Sequence, residues 1–193
     1  MIGLTHAAES APYGLLVQSD SAPALTVLVG GALIFYGMSL VAWGGFGQGN
    51  VSGRSAGVVS AVAGLLGVIW AAFLVFPVDA ASAAVVGAFG FAFLSGGIHT
   101  SFDVDLAGHG LLCLVLAGVS AIVAWSFTFP LSEMAPYLAV AMWSYVAVLV
   151  GFFGGAYYGT DRWLQAFTGL SYLTGVLTTG LYGALLITGY VGF

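Results

Sequence analysis

Polar residues in this chain gather in short clusters separated by long, unbroken apolar runs. After a polar, small-residue segment from Met1 to Pro23, the runs lie at about Ala24–Gly47, Ser55–Phe76, Ala81–Thr100, Gly108–Phe129, Pro136–Tyr158 and Leu164–Tyr190. A bilayer core of about 30 Å is crossed by about 20 apolar residues in a helix, and every run has about that length. Strands of a membrane barrel would alternate apolar and polar positions; these runs do not. Breakers sit between them: Gly47-Gln48-Gly49-Asn50, Pro77 with Asp79, Asp103 to Gly108, Pro130 to Pro136 and Gly159 to Arg162. The pattern predicts an all-α fold. It is a polytopic membrane protein in which residues 24–193 form a six-transmembrane-helix bundle and residues 1–23 an extramembrane N-terminal arm. The arm has no basic start and no sustained apolar core, so it does not read as a signal peptide. His6 within it reads as solvated.

Composition strengthens this reading and narrows the chemistry. The chain is 61% hydrophobic and 5% charged, where a soluble domain carries about 25% charged residues; its mean hydropathy is +1.10. No lysine is present, and the cations are Arg54 and Arg162. Lysine Schiff-base chemistry is thereby excluded, and a nucleic-acid partner would find no basic footprint. The single Cys113 offers no intrachain disulfide and no thiolate metal cluster; it reads as an inert core thiol. Nothing in the pattern calls for a cofactor. With six spans, Arg54 and Arg162 fall on one side, which the positive-inside rule makes cytoplasmic. The expected placement is multi-pass in the cell membrane, with both termini outside.

The carboxylates decide more. Glu9 and Asp20 lie in the arm, and Asp79, Asp103, Asp105, Glu133 and Asp161 lie in loops or at the ends of runs. Charges inside a membrane are costly and persist where ions or protons are moved. Their absence from the runs argues against a carboxylate-coupled carrier and against a channel with a charged ring. A route for a neutral solute, or a structural membrane subunit, remains. No nucleophile, base and orienting group come together in the pattern, so an enzyme is not expected. Glycine numbers 30 residues, many inside the runs, as close helix packing in a membrane requires. Polar and small groups concentrate between Phe89 and Asp105, FGFAFLSGGIHTSFDVD.

The residues of that stretch carry a resemblance. Phe89-Gly90-Phe91, Leu94, Ile98, Phe102 and Asp105 resemble the FGFTYLY…IN…LD signature of the AmiS/UreI family of urea and short-chain amide channels. Val29-Gly30, Leu33-Ile34 and Gly37 are similar to its first helix, and Arg54-Ser55-Ala56, Val58 and Gly64 to its second. Phe167-Thr168-Gly169, Gly175 and Leu185-Leu186 are similar to its last. The resemblance implies a six-helix protomer with its own narrow pore, walled by aromatic and aliphatic side chains. It also implies assembly as a homo-oligomeric ring, commonly a hexamer, and passive passage of urea or small amides. A cytoplasmic urease or amidase is the partner enzyme it suggests.

By the same resemblance, a pore lining can be assigned. Thr26, Val29 and Leu33 share one face of the first helix, although ordinary helix packing gives the same spacing. Phe91 matches an aromatic constriction, with Ser95 one turn on, where the urea channel has a tyrosine; a wider or differently selective constriction is expected there. His99 stands at an asparagine position and can both donate and accept; a satisfied structural histidine is the other reading. Trp143 and Tyr145 are the fifth-helix candidates, with the pore-facing register left open. Thr174 takes the place of a glutamate or glutamine if a one-residue gap is allowed. The outward loops carry Asp79 and Glu133 but no histidine, so the acid gate of the histidine-rich relatives is not expected. Two alternatives stay open. Ile34-Phe35-Tyr36-Gly37 is similar to acetate-type monocarboxylate transporters, whose Asn-Pro-Ala-Pro signature is missing. A membrane subunit without transport activity is the other.

Overall fold

A computed structural model describes residues 22–128, 135–159 and 161–188. The described residues are helical and contain no strand. Helix α1 is Ala22–Gly47 and α2 is Gly53–Trp70, which continues as a π-helical segment over Ala71–Val75. Then come α3 (Ala80–Ser101), α4 (Ala107–Thr128) and α5 (Ala135–Tyr158). The last crossing is built from α6 (Asp161–Leu173), a π-helical segment over Thr174–Leu181, and α7 (Tyr182–Ile187). Six helices are long and apolar enough to cross a membrane, at Ala24–Gly47, Gly53–Val75, Ala80–Ser101, Ala107–Trp125, Ala139–Tyr158 and Gln165–Ile187. They coincide with the six apolar runs to within a few residues. Most of the arm expected over residues 1–23, with His6, Glu9 and Asp20, lies outside the described residues. Glu133 and the expected run ends at Phe129 and Tyr190 do too.

The loop carboxylates have local work. Asp79 sits just before α3 and its side chain accepts a 2.7 Å hydrogen bond from the Ser82 amide. Ser52 does the same for α2, accepting from the Ser55 amide at 3.2 Å. Both satisfy amides that a helix start leaves orphaned. At the other end of α3, Arg54 Nε donates to the Ser101 carbonyl at 3.3 Å, a cation on a helix C-terminus. The chain then turns through Asp103, whose φ of 53° lies in the left-handed region that aspartate tolerates.

Within lipid the hydrophobic effect does not drive helices together, so close van der Waals packing must. The α2–α3 contact is the tightest expression of this. Gly57 lies against the Gly97 carbonyl and Gly64 against the Gly90 carbonyl, so that a Cβ would sit 2.9 Å and 2.6 Å from those oxygens. The approach is reciprocal, since a Cβ at Gly90 would meet the Gly64 carbonyl at 3.0 Å. Helix α1 meets the last crossing the same way, Gly37 against Gly175 and Gly30 against Gly183. These seams bring backbones close enough for Cα–H···O contacts. They also fix how each helix is rotated about its axis.

Backbone at such a seam has no flexible side chain to move aside. Gly64→Ala is therefore expected to cost about 1–3 kcal/mol of stability. Gly118→Ala, where a Cβ would meet nothing within 4 Å, should be neutral or slightly stabilising. Thermal unfolding of the two variants in detergent checks the contrast.

Candidate functional site: a cavity on the bundle axis

The seam sets which face of α3 turns inward. With Gly90 and Gly97 held on α2, the positions Phe89, Ala92, Phe93 and Gly96 line an internal cavity. They follow the i, i+3, i+4, i+7 rhythm of one helix face. Leu40 and Trp43 of α1, Ser60 of α2, His109 and Cys113 of α4, and Phe167 of α6 contribute to the same cavity. From α5 come Tyr145, Val148, Leu149 and Phe152. Each of the six crossings supplies at least one residue. The cavity measures about 30 Å³, room for about two waters.

Its walls are largely rings held edge to face. Phe152 meets Trp43 at 5.3 Å and 87°, Phe167 at 4.8 Å and 85°, and the His109 ring at 4.9 Å and 89°. Phe89 packs on Tyr145 with ring centroids 4.8 Å apart. Such edge-to-face pairs are favoured by the ring quadrupole. Behind the wall, Tyr36 stacks on Phe93 at 5.2 Å, and its hydroxyl donates to the Val86 carbonyl.

Three polar side chains break this apolar surface, and they differ in what they have left to offer. Ser60 Oγ accepts from Ser39 Oγ at 2.8 Å and from Trp43 Nε1 at 3.2 Å, and donates to the Phe93 carbonyl at 2.9 Å. A hydroxyl has one proton and two lone pairs, so Ser60 is saturated and ties α1, α2 and α3 together. His109 is 5% exposed, with Nδ1 3.3 Å from Ser95 Oγ and Nε2 3.4 Å from Cys113 Sγ. Tyr145 is 2% exposed, and its hydroxyl makes no close hydrogen bond. The nearby Thr179 hydroxyl donates its proton to the carbonyls of Thr174 and Gly175, which leaves its lone pairs to accept weakly from the Tyr145 O–H. No Asp, Glu, Lys or Arg is among the lining residues. Among the described residues, no group of three or more His, Cys, Asp or Glu could hold a metal ion.

Of the residues expected to line a pore, Tyr145 lines this cavity. Ser95 and His99 touch it indirectly. Ser95 Oγ bonds His109, its carbonyl lies 2.8 Å from His99 Nδ1, and the two histidine rings are 6.0 Å apart. Phe91 is placed differently. It is 56% exposed and shares the outer face of α3 with Ile98 and Phe102, because the glycine seam turns Phe89 and Phe93 inward in its stead. Trp143 is also directed outward, its Nε1 donating to Thr128 Oγ1 at 3.1 Å. Thr26 is buried, and Val29 and Leu33 are half-buried against apolar neighbours nearer the start of α1. The part of α1 at the cavity is Leu40 and Trp43. Thr174 is buried at the start of the π-helical segment, where its carbonyl accepts from Thr179.

Trp43, Ser60, Phe152, Phe167, His109 and Cys113 are among the lining residues that the sequence reading did not single out as pore-lining. Only His109 carries a signal of its own, an ionisable side chain inside an apolar run and four residues from the lone cysteine.

Comparison with known proteins agrees with this architecture. A profile described as AmiS/UreI family transporter matches residues 28–190. The chain belongs to the AmiS/UreI family. Among solved structures, the AmiS/UreI fold is shared with the crystal structure of the urea channel from the human gastric pathogen Helicobacter pylori. The TM-score is 0.74 at 17% identity, covering 84% of this chain and 99% of that one. The cryo-EM structure of the Helicobacter pylori urea channel in a closed state matches with a TM-score of 0.69 at 17% identity, over 84% and 98% of the two chains. No curated protein sequence matches the chain.

The two polar groups on α2 and α5 carry unequal weight in stability. Ser60→Ala leaves the Trp43 indole and the Ser39 hydroxyl without their acceptor and is expected to cost about 1–3 kcal/mol. Tyr145→Phe removes a hydroxyl with no close hydrogen bond and should shift stability by less than about 0.5 kcal/mol. Melting of both variants in one detergent checks the order.

Proposed function

We propose that the protein is a passive channel for small neutral polar solutes, urea or short-chain amides, which cross each protomer through the cavity on the bundle axis. The observation that carries this is an uncharged, ring-walled cavity reached by all six crossings, with a few polar groups set into it. Urea and amides are planar and neutral. Losing water from each polar group without replacement costs several kcal/mol. Flat rings accommodate the planar faces, and the His109 and Tyr145 side chains supply replacement hydrogen bonds. An ion would pay a far larger desolvation cost on the same path. Membership of the AmiS/UreI family and the fold shared with a urea channel support the solute class.

The sequence expectations extend this reading. The end bearing Arg54 and Arg162 faces the cytoplasm, both chain termini face outward, and the protein sits in the plasma membrane as a homo-oligomeric, hexameric ring. A cytoplasmic urease or amidase consumes or supplies the solute. Acid does not gate the path through loop histidines, since residues 76–79 and 129–135 contain none. Ser95 and His99 act at one end of the cavity through His109.

Flux into proteoliposomes of purified protein decides the matter, with urea, formamide, acetamide and acetate measured side by side. Urea or amide permeability well above that of protein-free vesicles, unchanged by a pH gradient, is the expected result. Proton-dependent acetate uptake without amide flux would point to the monocarboxylate carrier instead. Absence of flux for all four, with co-purification of a stoichiometric partner, would point to a non-transport subunit.

A further inference from the structure

The His109 ring occupies a seat made for it. Two small residues in succession, Ser95 and Gly96, leave space on α3, and a Cβ at position 96 would lie 2.7 Å from His109 Nε2. The ring is 5% exposed and braced by the edge-to-face contact with Phe152 at 4.9 Å. Its two nitrogens are unequally served. Nδ1 faces the Ser95 hydroxyl at 3.3 Å, which can donate or accept and so holds either tautomer. Nε2 has the Cys113 thiol at 3.4 Å, a weak donor and a weak acceptor. Turning Nε2 from that thiol to a better partner therefore gives up little. Gly96 and Cys113, the neighbours of Nε2, both line the cavity.

Height along the axis matters as well. The Tyr145 ring packs beside Phe89, while His109 sits over Gly96, seven residues or about 10 Å further along α3. Ser60 bonds the Phe93 carbonyl between these levels and is saturated. The cavity thus has an under-used hydrogen-bonding group near each end of its α3 wall.

We infer that His109 is a specificity-determining residue of this path, its Nε2 exchanging the Cys113 thiol for an N–H or C=O of a passing urea or amide, with Ser95 as its positioning residue. The inference rests on the channel reading above. With the Ser95 hydroxyl donating to Nδ1, the ring proton is on Nε2, which donates to the solute carbonyl; with the ring proton on Nδ1 donating to Ser95 Oγ, Nε2 accepts from the solute N–H. No bond other than hydrogen bonds is made or broken.

The test uses full-length protein in liposomes, with urea permeability and osmotic water permeability measured together. His109→Phe keeps the ring and its contact with Phe152 but removes both nitrogens. Urea permeability should fall about tenfold, the worth of one hydrogen bond of about 1.4 kcal/mol, with water permeability little changed. His109→Gln, which retains a donor and an acceptor, should restore most of it. A second pair guards against misfolding of the ring variants. Cys113→Ser gives Nε2 a stronger competitor and should lower urea permeability, whereas Cys113→Ala frees Nε2 and should leave or raise it. A merely structural role for the pair gives the reverse order, because alanine leaves a void and serine nearly fills it. Wild-type urea flux that His109→Phe does not lower, or the reverse order at Cys113, overturns the assignment of His109 alone. Wild-type liposomes no more permeable to urea, formamide and acetamide than protein-free ones overturn the channel reading and this assignment with it.

Discussion

Backbone contact between α2 and α3 governs the site. Gly57 against Gly97 and Gly64 against Gly90 bring two helices nearer than any side chain would allow. In a lipid environment this closeness replaces the hydrophobic drive that water supplies elsewhere. It also acts as a rotational key. Glycines spaced seven apart present one face of α3 to α2, and everything else on that helix follows. Phe89 and Phe93 turn toward the axis, while Phe91 and Ile98 turn outward. The glycine pairs between α1 and the last crossing, Gly30 with Gly183 and Gly37 with Gly175, perform the same service on the opposite wall.

Upon that frame the polar groups sort into those that hold the bundle and those that face its interior with capacity unspent. Ser60 belongs to the first kind. It gathers Ser39, the Trp43 indole and the Phe93 carbonyl into one network, and in a low-dielectric interior such a network is strong only because every member is satisfied. Tyr145 and His109 belong to the second kind, one without a close hydrogen bond and the other with a weak thiol on its cavity side. An apolar cavity with sparse, under-used hydrogen-bonding groups is what the proposed passage of a small, neutral solute calls for.

Much of the large-scale plan was legible in the chain. The six apolar runs match the six crossings because the length of a membrane helix is imposed by the bilayer and needs no tertiary information. The placing of carboxylates in loops or at helix ends was legible too and holds for the described Asp79, Asp103, Asp105 and Asp161, and the structure gives two of them local tasks, Asp79 capping α3 and Asp105 accepting from the Ala107 amide at 3.1 Å. The cavity was less legible. Phe91 and Phe93 are both rings on a uniformly apolar helix, and hydropathy cannot say which one faces inward when lipid and protein interior are equally apolar. His109 went unassigned because a single histidine within an apolar run has no spacing pattern to betray it.

By itself, the sequence determined that this is a membrane protein of six helices with no charge deep within its crossings and a family signature around Phe89–Asp105. Those properties depend on composition, on segment length and on local order. Only the tertiary structure decided the rotation of each helix, and with it the pairing of Ser95 and Cys113 across His109 and the placing of Phe89, Phe93 and Tyr145 on the axis. The reason is physical. Helix rotation in a membrane is set by which small residues let two backbones touch, and that depends on a partner helix the local sequence does not contain.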